Sequence, residues 1–241
     1  MKFMVRIASV QMTISKNKNK NLSKILSYIE KAHKQRASII CFPEHCLMPD
    51  ERNLVPIKPL LDKITKQCKK FLIWCIIGSY TKEDEGIFNI IYVIDKNGEI
   101  RAKYKKVHLW KNERKAISPG NRNKVINTEF GKIGVINCWD FAFPEFIKKL
   151  SKSGALIIFC PSYIVDYKNY LDMLKSMPLT RAFENMAYFV LANASNKETA
   201  RISYICSPSK VLSKLENKEG IIYADVDLRA IKKLRNYFRL P

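Results

Sequence analysis

The chain has 241 residues, of which 47 % are hydrophobic, and this is enough apolar material for a sizeable core. These values exclude a disulfide-stapled miniprotein and argue against a disordered chain. The longest apolar run, residues 71–77, is far shorter than the ~20 residues that a membrane helix needs. Lys2 and Arg6 interrupt the apolar start, so no signal peptide develops and we expect a cytoplasmic protein.

The charge balance is strongly basic, with 43 Lys and Arg against 22 Asp and Glu and a net charge of +21. Such a balance raises the question of nucleic acid as a partner. However, the basic residues are scattered along the whole chain and do not gather in one tail or on one helix face. We therefore interpret the lysines as a solvated exterior and do not expect nucleic acid as a partner.

Seven cysteines and three histidines are the candidate metal ligands. The odd number of cysteines, the absence of a Cys-x-x-Cys pair and the absence of an export signal argue against a disulfide framework. None of the histidines has zinc-finger spacing, so we expect no metal. Most of the thiols lie in apolar strand-like runs and are expected to be small buried hydrophobes.

The first half of the chain alternates between patterns typical of strands and of helices. Strands are predicted at 5–10, 38–42 and 71–80, and helices at 22–32 and 57–70. Asn19 or Asn21 is a possible cap of the first helix. Two further strands, 87–94 and 100–107, flank Asn97-Gly98, whose tolerance of positive φ predicts a hairpin.

The second half continues the alternation after a loop at 110–123. Strands are predicted on both sides of Gly131 and at 155–160, 188–192, 202–206 and 221–226, with helices from Pro144, over 170–185 and over 228–236. The pattern predicts an α/β layered fold in which helices cover the sheets. Because the sequence shows no internal repeat and no linker, we expect one domain over residues 1–241.

Cys138 differs from the other cysteines because it ends the strand 132–137, a few residues before the helix at Pro144. A thiol at a strand-to-helix turn lies near the positive end of the helix dipole, which favours the thiolate. The backbone N–H groups from Trp139 onward can stabilise an oxyanion there. Taken alone, such a cysteine is more often part of the core.

A nucleophilic cysteine needs a base, and no histidine has a context that suggests this role. Glu44 directly follows the buried strand 38–42, where burial would raise its pKa towards that of a useful base. Lys106 ends a predicted strand among aromatic and apolar residues. Taken singly, Glu44 is better explained as a capping or solvated carboxylate, and Lys106 as one more surface lysine.

Together, three segments are specific: Phe-Pro-Glu at 42–44, Tyr-Lys-Lys-Val-His-Leu at 104–109 and Asn-Cys-Trp-Asp-Phe-Ala-Phe-Pro-Glu at 137–145. In this order and at these separations they resemble the nitrilase, or carbon–nitrogen hydrolase, superfamily. The resemblance extends to the first strand, to Arg-Ala-Phe-Glu-Asn at 181–185 and to Ala-Asp-Val-Asp-Leu at 224–228, and so covers nearly the whole chain.

The resemblance implies a four-layer αββα sandwich and a Glu–Lys–Cys triad formed by Glu44, Lys106 and Cys138. It implies that Glu113 orients the substrate or Lys106, that the enzyme needs no metal or cofactor, and that it is a homodimer or a larger homo-oligomer. Where relatives have two glycines, this chain has Arg201 and Lys210, so we expect the backbone of those turns to differ.

The implied reaction is hydrolysis of a small amide or carbamoyl amine through a thioester on the cysteine. Trp139-Asp140 resembles the amidase and carbamoylase branches more than the true nitrilases, so nitrile hydrolysis comes second. A non-catalytic basic protein that binds nucleic acid is the alternative from another class. Candidate substrate-binding residues are Glu113 and the aromatic side chains near the motifs: Trp110, Trp139, Phe141, Tyr163 and Tyr167.

Overall fold

The computed structural model describes residues 3–165 and 170–238 and contains two six-stranded sheets with helices. The strands are β1 Met4–Gln11, β2 Ile39–Cys41, β3 Trp74–Glu83, β4 Gly86–Ile94, β5 Ile100–Lys105, β6 Lys124–Thr128, β7 Gly131–Val135, β8 Ile157–Ser162, β9 Tyr188–Asn193, β10 Ile202–Cys206, β11 Val211–Glu216 and β12 Gly220–Asp227. The helices are α1 Lys18–Lys34, α2 Lys58–Phe71, α3 Pro144–Lys152, α4 Leu171–Asn185 and α5 Leu228–Tyr237.

The two sheets have similar topologies. The strand order is β12-β1-β2-β3-β4-β5 in the first sheet and β11-β10-β9-β8-β7-β6 in the second. Three central strands run parallel in each sheet, β1-β2-β3 and β7-β8-β9, and antiparallel strands flank them. The mixed sheets confirm the predicted α/β class, since parallel neighbours require helical crossovers between them.

Alternation along the central strands creates the layers, because successive side chains of a strand point to opposite faces. In the first sheet, Ile39 belongs to the core between the sheets, whereas Ile40 packs with α1 and α2. In the second sheet, Ile157 and Phe159 face the inner core, and Ile158 packs with α3 and α4. Both faces of each sheet are therefore covered, and the predicted αββα sandwich is confirmed.

The hairpin predicted at Asn97-Gly98 joins β4 to β5, which pair antiparallel. Gly98 has φ 80°, in the left-handed region that glycine adopts without a steric penalty. The Asp95 carboxylate accepts hydrogen bonds from the backbone N–H groups of Asn97 and Glu99, at 2.9 Å each, and closes the turn. Local sequence therefore determines this part of the register.

The predicted cap of the first helix was wrong. The N-cap of α1 is Asn17, whose side chain accepts from the backbone N–H groups of Asn19 and Lys20. The Asn21 side chain instead exchanges hydrogen bonds with the backbone of Ser15. Asparagine recurs at every second position here, so the pattern did not show which one stands at the helix start.

Two strand predictions also needed correction. Strand β3 begins at Trp74 rather than at residue 71, because α2 continues to Phe71 and Leu72 ends it with φ 51°. Strand β11 was not predicted, because its half-exposed residues at the edge of the second sheet lack an apolar pattern.

Arg201, one of the two residues that stand where relatives have glycine, has a left-handed backbone conformation. Arg201 has φ 49°, which glycine would adopt at less cost. Its carbonyl accepts from the Gln11 side chain at 3.1 Å and from the Asn217 N–H at 2.9 Å, and its guanidinium donates to the Asn217 carbonyl. These bonds hold the arginine in a backbone conformation that it would not otherwise prefer.

Helix α5 is anchored by the buried side chain of Arg235. Its guanidinium donates to four backbone carbonyls, those of Met186, Ser151, Ala155 and Asn185, at 2.6 to 3.3 Å. Three of these carbonyls lie at or just beyond the ends of α3 and α4, where helices leave acceptors unpaired. The arginine therefore ties the last helix to the outer layer of the second sheet.

Within residues 3–165 and 170–238, no helix combines the length and the apolarity needed to cross a membrane.

Candidate active site

The strands bring the three predicted triad residues to one place. Glu44 follows β2, Lys106 follows β5 and Cys138 follows β7, so two residues come from the first sheet and one from the second. All three line a cavity of about 600 Å³. Glu113, from a short 3₁₀ turn in the predicted loop, lines the same cavity.

Lys106 lies between two carboxylates and is 1 % exposed. Its Nζ is 2.7 Å from Oε1 of Glu44 and 2.7 Å from Oε2 of Glu113. Burial by itself lowers the pKa of Lys106, but the charge of Glu44 and the charge and hydrogen bond of Glu113 outweigh it and raise the pKa well above its usual value. The side chain is therefore a permanent ammonium group that contacts both carboxylates.

Glu44 is buried, and both of its carboxylate oxygens accept hydrogen bonds. Oε1 accepts from Lys106 and, at 2.8 Å, from Nδ2 of Asn89, and Oε2 accepts from the backbone N–H of Tyr163 at 2.9 Å. Burial raises the pKa of Glu44, but the charges of Lys106 and His45 more than offset this, and the net pKa is lowered. The prediction of a raised pKa was wrong, because it considered burial without the ammonium partner.

The backbone around Glu44 packs closely against strand β3 at Gly78. A Cβ atom at Gly78 would lie 2.5 Å from the His45 nitrogen and 2.9 Å from the Glu44 Cα. The next residue, His45, has φ 36°, a left-handed conformation that is costly outside glycine. The glycine of β3 thus allows the turn that directs Glu44 into the cavity.

Cys138 also has a left-handed backbone, with φ 46°, at the start of the 3₁₀ turn Cys138–Ala142. Burial and the neighbouring Glu44 carboxylate raise the pKa of its thiol well above the usual value, although Lys106 acts in the opposite direction. The predicted preference for thiolate was therefore wrong. The thiol keeps its proton beside a carboxylate that can accept it.

Asp140 anchors the turn that carries Cys138. Its Oδ2 accepts from the Tyr104 hydroxyl at 2.5 Å and from the Asn137 N–H at 2.9 Å, and its Oδ1 accepts from the His108 N–H at 2.8 Å. The His108 ring nitrogen Nδ1 also lies 2.8 Å from Oδ1. Since Tyr104 and His108 flank Lys106 in sequence, Asp140 connects the lysine segment to the cysteine turn.

Sequence reasoning missed two buried asparagines next to the carboxylates. Asn89, on β4, donates through Nδ2 to Glu44 and to Glu113, at 2.8 Å each. Its Oδ1 accepts from Nδ2 of Asn137 at 2.9 Å. Both asparagines are 0 % exposed. Their position at or beside apolar strands was the available signal, because a buried amide needs hydrogen-bond partners.

Aromatic and aliphatic side chains form most of the cavity wall that the structure describes. Four of the predicted aromatic candidates line it: Trp110, Trp139, Phe141 and Tyr163. The fifth, Tyr167, lies outside the described residues. The wall also contains Lys111, at the exposed side. Further lining residues are His45, Tyr80, Ile164, Val165, Tyr170, Met173 and Leu174.

In the part of the chain that the structure describes, no three His, Cys, Asp or Glu side chains form a group that could hold a metal ion. The seven cysteines are free thiols. Cys138 is 8 % exposed and lines the cavity, whereas the other six are 0 % exposed or nearly so and are absent from the wall described above. The arrangement provides a thiol, a carboxylate that can accept a proton, and a fixed ammonium group.

Comparison with known proteins identifies relatives over nearly the whole chain. The human omega-amidase NIT2 is 27 % identical over 258 aligned positions, which cover 95 % of this chain and 91 % of the relative. A probable nitrilase of Schizosaccharomyces pombe is 32 % identical, with 90 % of this chain and 87 % of the relative covered.

The crystal structure of Nit3 from Saccharomyces cerevisiae, a member of branch 10 of the nitrilase superfamily, has a TM-score of 0.86 and 24 % identity, with coverage of 98 % of this chain and 95 % of the other. This similarity supports the fold. The model of the carbon–nitrogen hydrolase family matches residues 6–236. The protein is therefore an enzyme of the carbon–nitrogen hydrolase family, within the nitrilase superfamily and its amidase-like branch.

Proposed function

We propose that this enzyme hydrolyses a small amide to an acid and ammonia or an amine, with Glu44, Lys106 and Cys138 as its catalytic residues. The main support is that a single cavity contains the Cys138 thiol together with the Glu44 carboxylate, which accepts a hydrogen bond of 2.7 Å from Lys106. The names of the relatives, among them an omega-amidase, support an amide as the substrate. The catalytic domain in this proposal is residues 1–241.

In the first half of the reaction, Glu44 takes the thiol proton while the Cys138 sulfur attacks the carbonyl carbon. The Lys106 ammonium and the backbone N–H of Trp139 stabilise the oxygen of the tetrahedral intermediate, and one such donor is typically worth ~3 kcal/mol. The carbon–nitrogen bond then breaks, and Glu44 gives its proton to the leaving nitrogen. A thioester remains on the sulfur.

In the second half, water attacks the thioester carbon and Glu44 takes its proton. The carbon–sulfur bond breaks, the acid leaves, and the proton returns to the sulfur. The lowered pKa of Glu44 keeps it ionised at neutral pH, and the raised pKa of Cys138 keeps the thiol protonated until the base acts. This distribution of protons is the starting state that the mechanism requires.

Glu113, Trp139 and Tyr163 are proposed to bind the substrate or hold the triad in place. Glu113 accepts from Lys106 and, at 2.8 Å, from the backbone N–H of Trp110. Tyr163 donates its backbone N–H to Glu44, and its hydroxyl donates to Glu198. Trp139 packs edge-on against Trp110, with 4.4 Å between ring centroids, and closes one side of the cavity.

The proposal is tested by measuring ammonia release from a panel of small amides. Cys138→Ala, Lys106→Ala and Glu44→Gln should each abolish it with the fold retained. Cys206→Ala is the matched control, since Cys206 is a buried thiol in β10 outside the cavity wall. Full activity in Cys138→Ala, or equal loss in Cys206→Ala, would overturn the assignment.

Thiol labelling provides a second test that needs no substrate. Iodoacetamide should modify Cys138 in the native protein before the other six cysteines, because it alone among them opens onto the cavity. Peptide mass spectrometry identifies the modified residue. Uniform labelling, or labelling of another cysteine first, would contradict the proposal that Cys138 is the nucleophile.

Matched nitriles and amides separate the two substrate classes that the triad could attack. We propose an amide preference, so kcat/KM should be higher for each amide than for its nitrile. A non-catalytic nucleic-acid-binding protein would instead show binding that weakens steeply with salt and survives Cys138→Ala.

We further propose a homodimer, or a larger homo-oligomer, in the cytoplasm. The exposed Phe183 on α4, outside the cavity wall, supports an apolar contact between subunits. Seven free thiols suit a reducing compartment. Light scattering after size-exclusion chromatography measures the molar mass, and a monomer at micromolar concentration contradicts the first proposal.

A further inference from the structure

The side-chain amide of Asn89 donates hydrogen bonds to the two carboxylates of the site, Glu44 and Glu113. Its two N–H groups donate to Oε1 of Glu44 and Oε1 of Glu113, at 2.8 Å each. Its backbone carbonyl accepts from the Lys106 N–H at 2.9 Å. Asn89 therefore bonds to both carboxylates through its side chain and to the Lys106 segment through its backbone.

The hydrogen bonds from Asn89 to the two carboxylates depend on the orientation of its side-chain amide. In the opposite orientation, the Asn89 oxygen would lie 2.8 Å from two carboxylate oxygens, and all of these atoms are hydrogen-bond acceptors. Rotation of the amide would thus replace two donated bonds by repulsion. Because rotation would cost two buried hydrogen bonds, the amide needs a partner that fixes its orientation.

Asn137 provides this partner. Its Nδ2 donates to the Asn89 oxygen at 2.9 Å, so that oxygen is occupied on the side away from the carboxylates. Asn137 immediately precedes Cys138, and its own N–H is fixed by Asp140 at 2.9 Å. The donor is consequently attached to the same turn that positions the nucleophile.

We propose that Asn137 is a positioning residue: by holding the Asn89 amide in one orientation, it directs two N–H groups to Glu44 and Glu113 and keeps Glu44 ionised as the base for Cys138. This inference rests on the proposed function of Glu44. It assigns Asn137 an effect on the reaction without contact with the substrate or with either carboxylate.

Several charged or titratable groups surround Glu44, and the test must separate their effects from that of the amide. Lys106 from the β5 end, Glu113 from the following loop, Cys138 from the β7 end and the adjacent His45 all act on it or through Lys106. None of them is altered in Asn137→Leu, which removes the side-chain amide that donates to Asn89 and preserves approximate volume. A shift in the acid limb of the pH–rate profile of Cys138 alkylation in this variant therefore reports the orientation of Asn89.

The experiment measures the rate of Cys138 alkylation by iodoacetamide against pH, together with kcat and KM for any amide that is turned over. In Asn137→Leu, the acid limb should move to higher pH by about one unit, because Glu44 loses a hydrogen bond to its charged form. We expect kcat to fall roughly tenfold with little change in KM. Asn89→Leu should shift both quantities at least as much.

A double-variant cycle distinguishes positioning from a general structural role. If Asn137 acts through Asn89, Asn137→Leu should cause no further loss in an Asn89→Leu background. Equal losses in both backgrounds, or an acid limb that stays in place in Asn137→Leu, overturn the inference. Asn185→Leu is the matched control, since it removes a buried asparagine whose side chain bonds only to α3 and α4, and it should leave the limb unmoved.

If Asn137→Leu does not fold, Asn137→Ser removes the long donor with less strain and should give the same shift. The alkylation profile does not depend on finding a substrate. Absence of amide turnover in the wild type would therefore reject the proposed function, whereas an unmoved limb with active wild type rejects only the role of Asn137.

Discussion

Two buried cations, Lys106 and Arg235, illustrate different uses of a charge inside one fold. Lys106 is 1 % exposed and has two carboxylate partners, whereas Arg235 is 7 % exposed and donates to four backbone carbonyls. Carboxylate charges raise the pKa of Lys106, and burial lowers the pKa of Arg235. One cation contacts two carboxylates of the proposed active site, and the other bonds to carbonyls at the ends of helices.

The difference follows from what each partner can do. A carboxylate can accept or release a proton, so a cation beside it adjusts proton transfer. A backbone carbonyl only accepts hydrogen bonds, so a cation beside it contributes stability and position. Substitutions at the two sites should therefore separate activity from stability.

The largest effect is expected for Lys106→Met. The variant should lose amide hydrolysis and also ~3–5 kcal/mol of unfolding free energy at neutral pH, because Glu44 and Glu113 would be left as buried charges without a cation. Denaturant unfolding measures this loss. Lowering the pH should restore stability in the variant as the carboxylates become neutral, and an equal loss at every pH would contradict this explanation.

Arg235→Met should lower the unfolding free energy by about 2–4 kcal/mol, because four carbonyls lose a charged donor. None of these carbonyls belongs to a residue of the described cavity wall, so kcat/KM should stay within about twofold below the melting temperature. Arg235→Lys restores only part of the stability, since an ammonium cannot reach all four acceptors. A large loss of kcat with normal stability would contradict the purely structural role.

The pH dependence of the wild type follows from the lowered pKa of Glu44. The carboxylate should remain a base below the ordinary glutamate value of 4.5, so the acid limb of Cys138 alkylation should lie under that pH. A depressed folded-state pKa contributes stability above the unfolded value, and this contribution disappears as pH falls through the folded pKa. An acid limb above 4.5, or an unchanged limb in Glu44→Gln, would contradict it.

The smallest effect is expected at an exposed cation. Lys58 pairs with Asp62 at 2.9 Å, but its side chain is 83 % exposed. Lys58→Gln should change the unfolding free energy by no more than ~0.5 kcal/mol and leave kcat/KM unaltered, because water screens the pair. A cost comparable to that of Arg235→Met would show that burial is not what separates these cations.

Local patterns predicted most of the elements, and the exceptions have local causes. The hairpin at Asn97-Gly98 was predicted correctly, since its turn is closed by Asp95 within a few residues. The cap of α1 was misassigned among three nearby asparagines, and the edge strand β11 was missed. Where several local choices are equivalent, only packing selects one of them.

The candidate site was predictable only in part. Motifs placed Glu44, Lys106 and Cys138 in one hypothesis, and the structure brings their side chains to one cavity. Sequence reasoning assigned no role to Asn89 or Asn137, because their importance lies in contacts between separate strands. An amide in a sequence does not show which way its donors point.

The sequence by itself determined the alternation of strands and helices, the motifs that carry the reactive groups and the family to which they belong. Only the tertiary structure decided the direction of the pKa shifts. Glu44 and Lys106 are 62 positions apart in the chain and 2.7 Å apart in space. Whether a buried carboxylate is neutral or charged depends on the balance between desolvation and such contacts, and that balance is set by distance.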